Sequence, residues 1–194
     1  LISKISRECR MPICYGGGIR AIEDIEKIIT LGVEKVSLSS TFFKNPKLIT
    51  KAANKFGSQS IVVCLDVKKS KFKQKYEVFI INGKKFINKD LLTLVKEVEL
   101  FGAGELIINS IDQDGMMKGY DLELCRKLSE QTKLPITFIG GAGCLNDFRD
   151  LWSYCGTVGA AAGSLFVFKG KYKAVLINYP SDDQKAKLFD SLKP

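Results

Sequence analysis

The sequence predicts an α/β fold, and within that class a (β/α)8 TIM barrel of two half-barrels, here lacking about the first two strand–helix units. Three observations carry this. First, short apolar runs that end in glycine, serine or aspartate are each followed by a stretch whose apolar residues recur at helical spacing, and this happens six times. Second, the chain repeats itself: Ile13-Cys14-Tyr15-Gly16-Gly17-Gly18-Ile19-Arg20 is echoed by Thr137-Phe138-Ile139-Gly140-Gly141-Ala142-Gly143-Cys144. At the same offset Gly32 falls on Gly156, Ser40 on Ser164 and Phe42 on Phe166. Third, Asp66 and Asp114 end runs that lie between the two copies, so their own counterparts in a duplicated fold fall upstream of Leu1. A complete barrel of this kind takes about 250 residues, and 194 are present. One domain spanning residues 1–194, incomplete at its N-terminal side, is therefore expected. An open doubly wound sheet is the alternative.

Taken in order, Leu1 to Arg10 reads as the end of an amphipathic helix with Ile2, Ile5 and Cys9 on one face, and Pro12 opens the first strand. Ala21 to Leu31 is a helix with Ile22, Ile25, Ile28 and Ile29 on its buried side, stopped by Gly32. Lys35 to Leu38 is a strand, and Asn45-Pro46 starts a helix that runs to Phe56. Ile61 to Leu65 is an apolar strand with Asp66 at its end; Tyr76–Ile81 and Lys84–Ile87 flank Asn82-Gly83 as an inserted hairpin. Leu91 to Phe101 is a helix, Glu105 to Ile111 a strand that delivers Asp112 and Asp114, and Asp121 caps a helix to Gln131. Pro135 to Ile139, Leu145 to Tyr154 and Val158 to Ala162 complete the pattern as strand, helix, strand.

Composition narrows the chemistry. No apolar run approaches the ~20 residues that cross a bilayer, and no signal peptide precedes the first strand, so a cytoplasmic protein with no membrane partner is expected. The six cysteines have no CxxC spacing and read as reduced thiols, with no metal site. Histidine is absent altogether, which excludes a His-dependent triad, a His-ligated zinc or a His acid–base, and leaves carboxylates, Lys, Cys and Tyr to move protons. A formal charge of +9 favours anionic partners. The basic residues lack interleaved aromatics, so phosphorylated small molecules fit better than nucleic acid. The run Lys68-Lys69-Ser70-Lys71-Phe72-Lys73-Gln74-Lys75 is either a solvated loop or a means of drawing in a multiply charged substrate.

In both copies, glycines follow a strand and small hydroxylated residues follow the next one. Glycines at a strand end let backbone N–H groups approach an anion, so each copy reads as a phosphate-sized turn. Asp66, a single carboxylate closing an apolar strand, is the strongest individual signal.

Several motifs together resemble HisF, the cyclase subunit of imidazole glycerol phosphate synthase: Tyr15-Gly16-Gly17-Gly18-Ile19-Arg20, Lys35-Val36-Ser37, Phe56-Gly57-Ser58-Gln59, Asp66-Val67-Lys68, Gly102-Ala103-Gly104-Glu105, Ser110-Ile111-Asp112-Gln113-Asp114-Gly115, Lys118-Gly119-Tyr120-Asp121 and Gly140-Gly141-Ala142-Gly143. The resemblance implies a barrel that receives ammonia from a HisH-like glutaminase partner and needs no cofactor. It implies reaction with a ribulosyl bis-phosphate to give imidazole glycerol phosphate and an aminoimidazole carboxamide ribotide. It makes Asp66 one of two catalytic aspartates and Asp114 a substrate-ordering or secondary catalytic carboxylate, unless Asp114 is only a turn residue. It places one phosphate at Gly17, Ser39 and Ser40 and the other at Gly115, Gly141, Gly163 and Ser164. Lys35 and Glu105 resemble two members of a charged ammonia gate; a purely structural ion pair is the plainer reading.

Three departures qualify the resemblance. Ser39 stands where the histidine-pathway enzymes usually carry asparagine. The family's other catalytic aspartate, on strand one, has no counterpart here, so this chain alone is expected to be inactive. The ending from Ala162 through Pro180 looks instead like HisF-like paralogues implicated in forming acetamidino groups on surface-glycan sugars. A non-catalytic barrel that scaffolds a glutaminase, and a sister family of phosphoribosyl isomerases, remain as alternatives.

Overall fold

The structure, a computed structural model, describes residues 1–70, 75–170 and 172–190. Residues 71–74 of the lysine run lie outside the described residues. The strands are β1 (Cys14–Gly16), β2 (Lys35–Leu38), β3 (Ile61–Lys69), β4 (Tyr76–Ile80), β5 (Lys85–Ile87), β6 (Glu105–Ser110), β7 (Ile136–Ile139), β8 (Gly159–Ala161), β9 (Phe168–Lys169) and β10 (Ala174–Val175). The helices are α1 (Ile2–Glu8), α2 (Ile22–Thr30), α3 (Ser40–Lys44), α4 (Lys47–Phe56), α5 (Leu91–Leu100), α6 (Leu122–Ser129), α7 (Leu145–Cys155), α8 (Ser164–Val167) and α9 (Asp182–Asp190).

Six strands follow the path β1-β2-β3-β6-β7-β8, with the β4–β5 hairpin attached to β3. β1 on β2, β2 on β3 and β7 on β8 are parallel. A helix separates each parallel strand from the next, as the sequence predicts for a (β/α)8 barrel. The chain forms two compact units, Leu1–Asp66 with Glu77–Ile107, and Val67–Tyr76 with Ile108–Pro194.

In the first unit the two faces of the sheet differ. Val36 and Leu38 pair in register with Ile61 and Val63, and all four are buried. They belong to the core that also takes Ile25 and Ile28 of α2 and Leu48 and Ile49 of α4, each worth about 1.5–3 kcal/mol on burial. The opposite face carries Lys35 and Ser37 of β2 with their register partners Cys14 and Gly16 of β1. By the two-residue period of a strand, Cys64 and Asp66 share that face, and neither is fully buried. Asp24 fixes the start of α2 by accepting from the Arg20 and Ala21 N–H groups at 2.8 and 3.0 Å, and Gly32 ends it at φ 91°.

The second unit repeats this plan. Asp147 accepts from the Gly143 and Cys144 N–H groups at 2.7 and 3.0 Å at the start of α7. Phe138, Leu124, Leu128 and Leu151 are buried, and Trp152 Nε1 donates to the Val158 carbonyl at 2.8 Å. Asp121 caps α6 as expected, accepting from Leu124 N–H at 3.0 Å.

Three local features differ from the sequence reading. β3 continues three residues past Asp66, because β4 pairs alongside it and Val67 is fully buried. The hydroxylated ends of β2 and β8 wind into the short helices α3 and α8. The hairpin loop has four residues rather than two, since Ile80 pairs with Lys85 and Ile81, Asn82 and Gly83 all adopt positive φ.

Candidate functional site

A cavity of about 580 Å3 opens in the first unit, within the range of roughly 300–1,000 Å3 usual for small-molecule sites. It gathers Gly17, Ser39, Ser40 and Asp66, four residues selected from sequence and spread over fifty positions. The glycine turn that forms one wall is bare: Gly17 at φ 112° and Gly18 at φ 74° have nothing within 4 Å of where a Cβ would stand. Both conformations disfavour any side chain, which accounts for glycine at these two positions. The Thr41 hydroxyl donates to the Ile19 carbonyl and ties this turn to α3. Arg20 and Lys44 also line the cavity and bring positive charge that the sequence reading did not assign. Lys44 follows Ser40 by one helical turn, a spacing that would have revealed it had α3 been anticipated. The hairpin tip, Ile81 and Asn82, completes the rim.

Cys64 shares this cavity with Asp66. Burial pushes its thiol up to about 12, with the Asp66 carboxylate as a second cause, so it is a neutral thiol at physiological pH. Asp66 itself is half-buried and is the one carboxylate among the described residues that line the cavity. Hydroxyls, an open glycine backbone and two cations suit an anion, and a carboxylate beside that anion can accept and return a proton.

The second unit holds a smaller cleft lined by Gly115, Gly141, Gly163 and Ser164, the four residues assigned to the second phosphate from sequence, together with Asp114. Here the turn is enclosed. A Cβ on Gly141 would lie 2.0 Å from the Gly119 carbonyl oxygen, and one on Gly140 would lie 2.6 Å from that of Ser110. Gly119 N–H donates to the Gly141 carbonyl at 2.9 Å, and the Tyr120 hydroxyl donates to the Ala161 carbonyl at 2.9 Å. Asp112 turns away toward β3, accepting from Lys69 N–H at 2.7 Å, and Asp114 remains exposed.

Lys35 and Glu105 meet at 2.6 Å, with side chains 40% and 17% exposed. Cys14 lies near both; burial raises its thiol, the Glu105 charge adds to this, and Lys35 opposes it.

A parallel strand–helix repeat with a glycine turn at a cavity or cleft in each unit defines an α/β protein of the partial (β/α)8 barrel type. A family profile described as "Histidine biosynthesis protein" matches residues 1–173, and the chain belongs to that family, among its HisF members. It is 57% identical over 190 residues to "Putative imidazole glycerol phosphate synthase subunit hisF3" of Vibrio vulnificus, covering 98% of this chain and 73% of the relative. A Leptospira borgpetersenii protein with the same name, ending in HisF, is 51% identical over 189 residues, covering 97% and 74%. "Imidazole glycerol phosphate synthase subunit HisF" of Alkaliphilus metalliredigens is 39% identical over 166 residues, covering 86% and 66%. Among the described residues no helix is long and apolar enough to cross a membrane.

Proposed function

We propose that this chain is the synthase portion of a HisF-type glutamine amidotransferase complex of the cytoplasm. It takes ammonia from a HisH-like glutaminase and converts a ribulosyl bis-phosphate to imidazole glycerol phosphate and an aminoimidazole carboxamide ribotide. The observation that carries this is the placing of Asp66 in one cavity with Gly17, Ser39 and Ser40. A phosphate held by the glycine and serine end would leave the reacting carbons within reach of a proton-shuttling carboxylate. The second cleft, with Gly115, Gly141, Gly163 and Ser164, accounts for the substrate's other phosphate, and Asp114 orders the substrate there. Lys35 and Glu105 act as part of the ammonia gate.

The test is a chimera in which this chain replaces its matching segment in the Alkaliphilus metalliredigens relative, supplied with ammonium salts and the ribulosyl substrate. Turnover that falls by roughly 10²-fold or more on Asp66→Asn supports the reading. A folded chimera that binds phosphate without turnover contradicts it.

A second reading has its own support. The Vibrio vulnificus relative, whose name ends in hisF3, shares 57% identity, whereas the relative with the unqualified name shares 39%. In this reading the same ammonia-fed barrel serves acetamidino-group formation on a surface-glycan sugar. Turnover of the ribulosyl substrate by the chimera would count against it.

A further inference from the structure

We propose that Lys173, on the turn between β9 and β10, is the cation of the second cleft, carried to it by the C-terminal hairpin. The inference rests on the phosphate reading of Gly115, Gly163 and Ser164 and adds the charge that their surroundings lack. A hydroxyl, glycine backbone and the Asp114 carboxylate line the cleft, with neither lysine nor arginine among the described lining residues. The first cavity, by contrast, sets Arg20 and Lys44 around the space that Asp66 faces. A carboxylate beside a phosphate repels it, and a nearby cation offsets that repulsion.

The hairpin brings such a cation from outside the lining. Lys173 Nζ donates to the Gly115 carbonyl at 3.2 Å. An ammonium has three N–H donors on a flexible four-carbon stem, so the same group can hold Gly115 and meet a phosphate oxygen. Gly115 and Gly163 leave room for that anion, since nothing stands within 4 Å of a Cβ position at either.

The hairpin starts from the cleft wall itself: Ser164 begins α8, and α8 runs directly into β9. On the return, the Leu176 and Asn178 N–H groups donate to the Val167 and Phe166 carbonyls at 2.9 and 2.8 Å. The Tyr179 ring packs against Phe166 with centroids 5.2 Å apart. Both arms are thus tied to α8. Lys173 N–H closes the turn on the Gly170 carbonyl at 3.0 Å, with Lys173 in the left-handed region at φ 49°. Glycine or asparagine would take that conformation at lower cost. Lys173 is exposed, so burial does not reward lysine either. What lysine adds at this position is the ammonium at Gly115.

The test titrates the full chain with inorganic phosphate and follows backbone amide NMR shifts at Gly163 and Ser164, with those at Gly17 and Ser40 as an internal reference. Lys173→Gly is compared with Lys173→Arg and with Lys169→Ala, which removes a charge from the same hairpin. Glycine suits the φ of this position, so Lys173→Gly should unfold in urea no earlier than the unmodified chain. The expected result is a loss of roughly tenfold in second-cleft affinity for Lys173→Gly, with Lys173→Arg and Lys169→Ala kept within about threefold. First-cavity affinity should stay within about twofold in every variant. Unchanged second-cleft affinity in Lys173→Gly overturns the proposal, as does an equal loss in Lys169→Ala, which would reduce the effect to general charge. A loss of stability in Lys173→Gly that matches its loss of affinity also overturns it, because Lys173 would then be a strap and not a ligand. Absence of shifts at Gly163 and Ser164 in the unmodified chain removes the phosphate reading of the cleft and this proposal with it, whereas the other outcomes leave that reading standing.

Discussion

The two glycine turns arise from one repeated stretch of sequence, yet they stand in opposite surroundings. Around Gly17 and Gly18 there is open space, and a large cavity lies beside them. Gly140, Gly141 and Gly143 are pressed against the backbones of Ser110, Gly119 and Met117. The strand neighbours explain the difference. β7 lies between β6 and β8, and the chain leaving β6 folds back over the turn, whereas β1 has β2 as its one neighbour among the described residues. A repeated motif thus specifies the local backbone, while the strand beside it decides how much room that backbone encloses. The turns also differ by one residue in length, although the copies come back to the same offset by Gly32 and Gly156. Asp24 caps at Arg20 and Ala21, five positions past Gly16 at the far donor, and Asp147 caps at Gly143 and Cys144, four past Gly140.

The largest expected effect sharpens this contrast directly. Gly141→Ala forces a Cβ onto the Gly119 carbonyl and should cost more than about 4 kcal/mol of stability, the range associated with severe steric conflict. Gly17→Ala, at nearly the same φ but with free space, should cost about 1–3 kcal/mol from backbone strain alone. Urea unfolding of both variants measures the gap, and equal losses would break the comparison.

Next in size is thiol reactivity. Cys64, in the first cavity, has its thiol raised to about 12, against an ordinary value of 9.0. At pH 8 its iodoacetamide labelling should lag an ordinary thiol by about 10³-fold, rising tenfold per pH unit. Cys144, exposed at the second turn, should label readily. Peptide mapping by mass spectrometry reads both, and rapid labelling of Cys64 would mean that the cavity is wetter than described.

The helix caps should differ least. Asp24→Ala and Asp147→Ala each remove the acceptor for two backbone N–H groups and should lower the melting temperature by similar, modest amounts. Acid adds a directional check at the first turn. The Arg20 and Ala21 N–H groups hold the Asp24 carboxyl below its usual range. The cap therefore contributes fully above the ordinary aspartate value of about 3.9 and is lost as pH falls through the lower folded value. Asp24→Asn should flatten that part of the acid-unfolding curve; an unaltered curve would show the cap to be unimportant.

Much of this architecture was legible because glycine, aspartate and apolar spacing are local signals. Gly32 and Gly156 stop their helices, Asp121 caps, and the runs at Lys35–Leu38 and Ile61–Leu65 are strands. What escaped depended on neighbours. β3 runs beyond Asp66 because a hairpin pairs with it, and nothing within the β3 sequence itself signals that partner. Ile81 reads as a strand residue by composition, but pairing of Ile80 with Lys85 pushes it into the loop. Arg20 and Lys44 were visible as charges, but their approach to the same cavity as Asp66 required α3 and the turn to be placed first.

The central claim is that the first cavity binds an anion at the glycine–serine end, with the Asp66 carboxylate lining the same cavity. Backbone amide NMR during titration of the full chain with inorganic phosphate tests this most directly. Saturable shifts centred on Gly17 and Ser40, retained in Asp66→Asn, are the predicted result. Saturable binding that leaves those two amides unmoved, or that disappears with Asp66→Asn, would contradict the account.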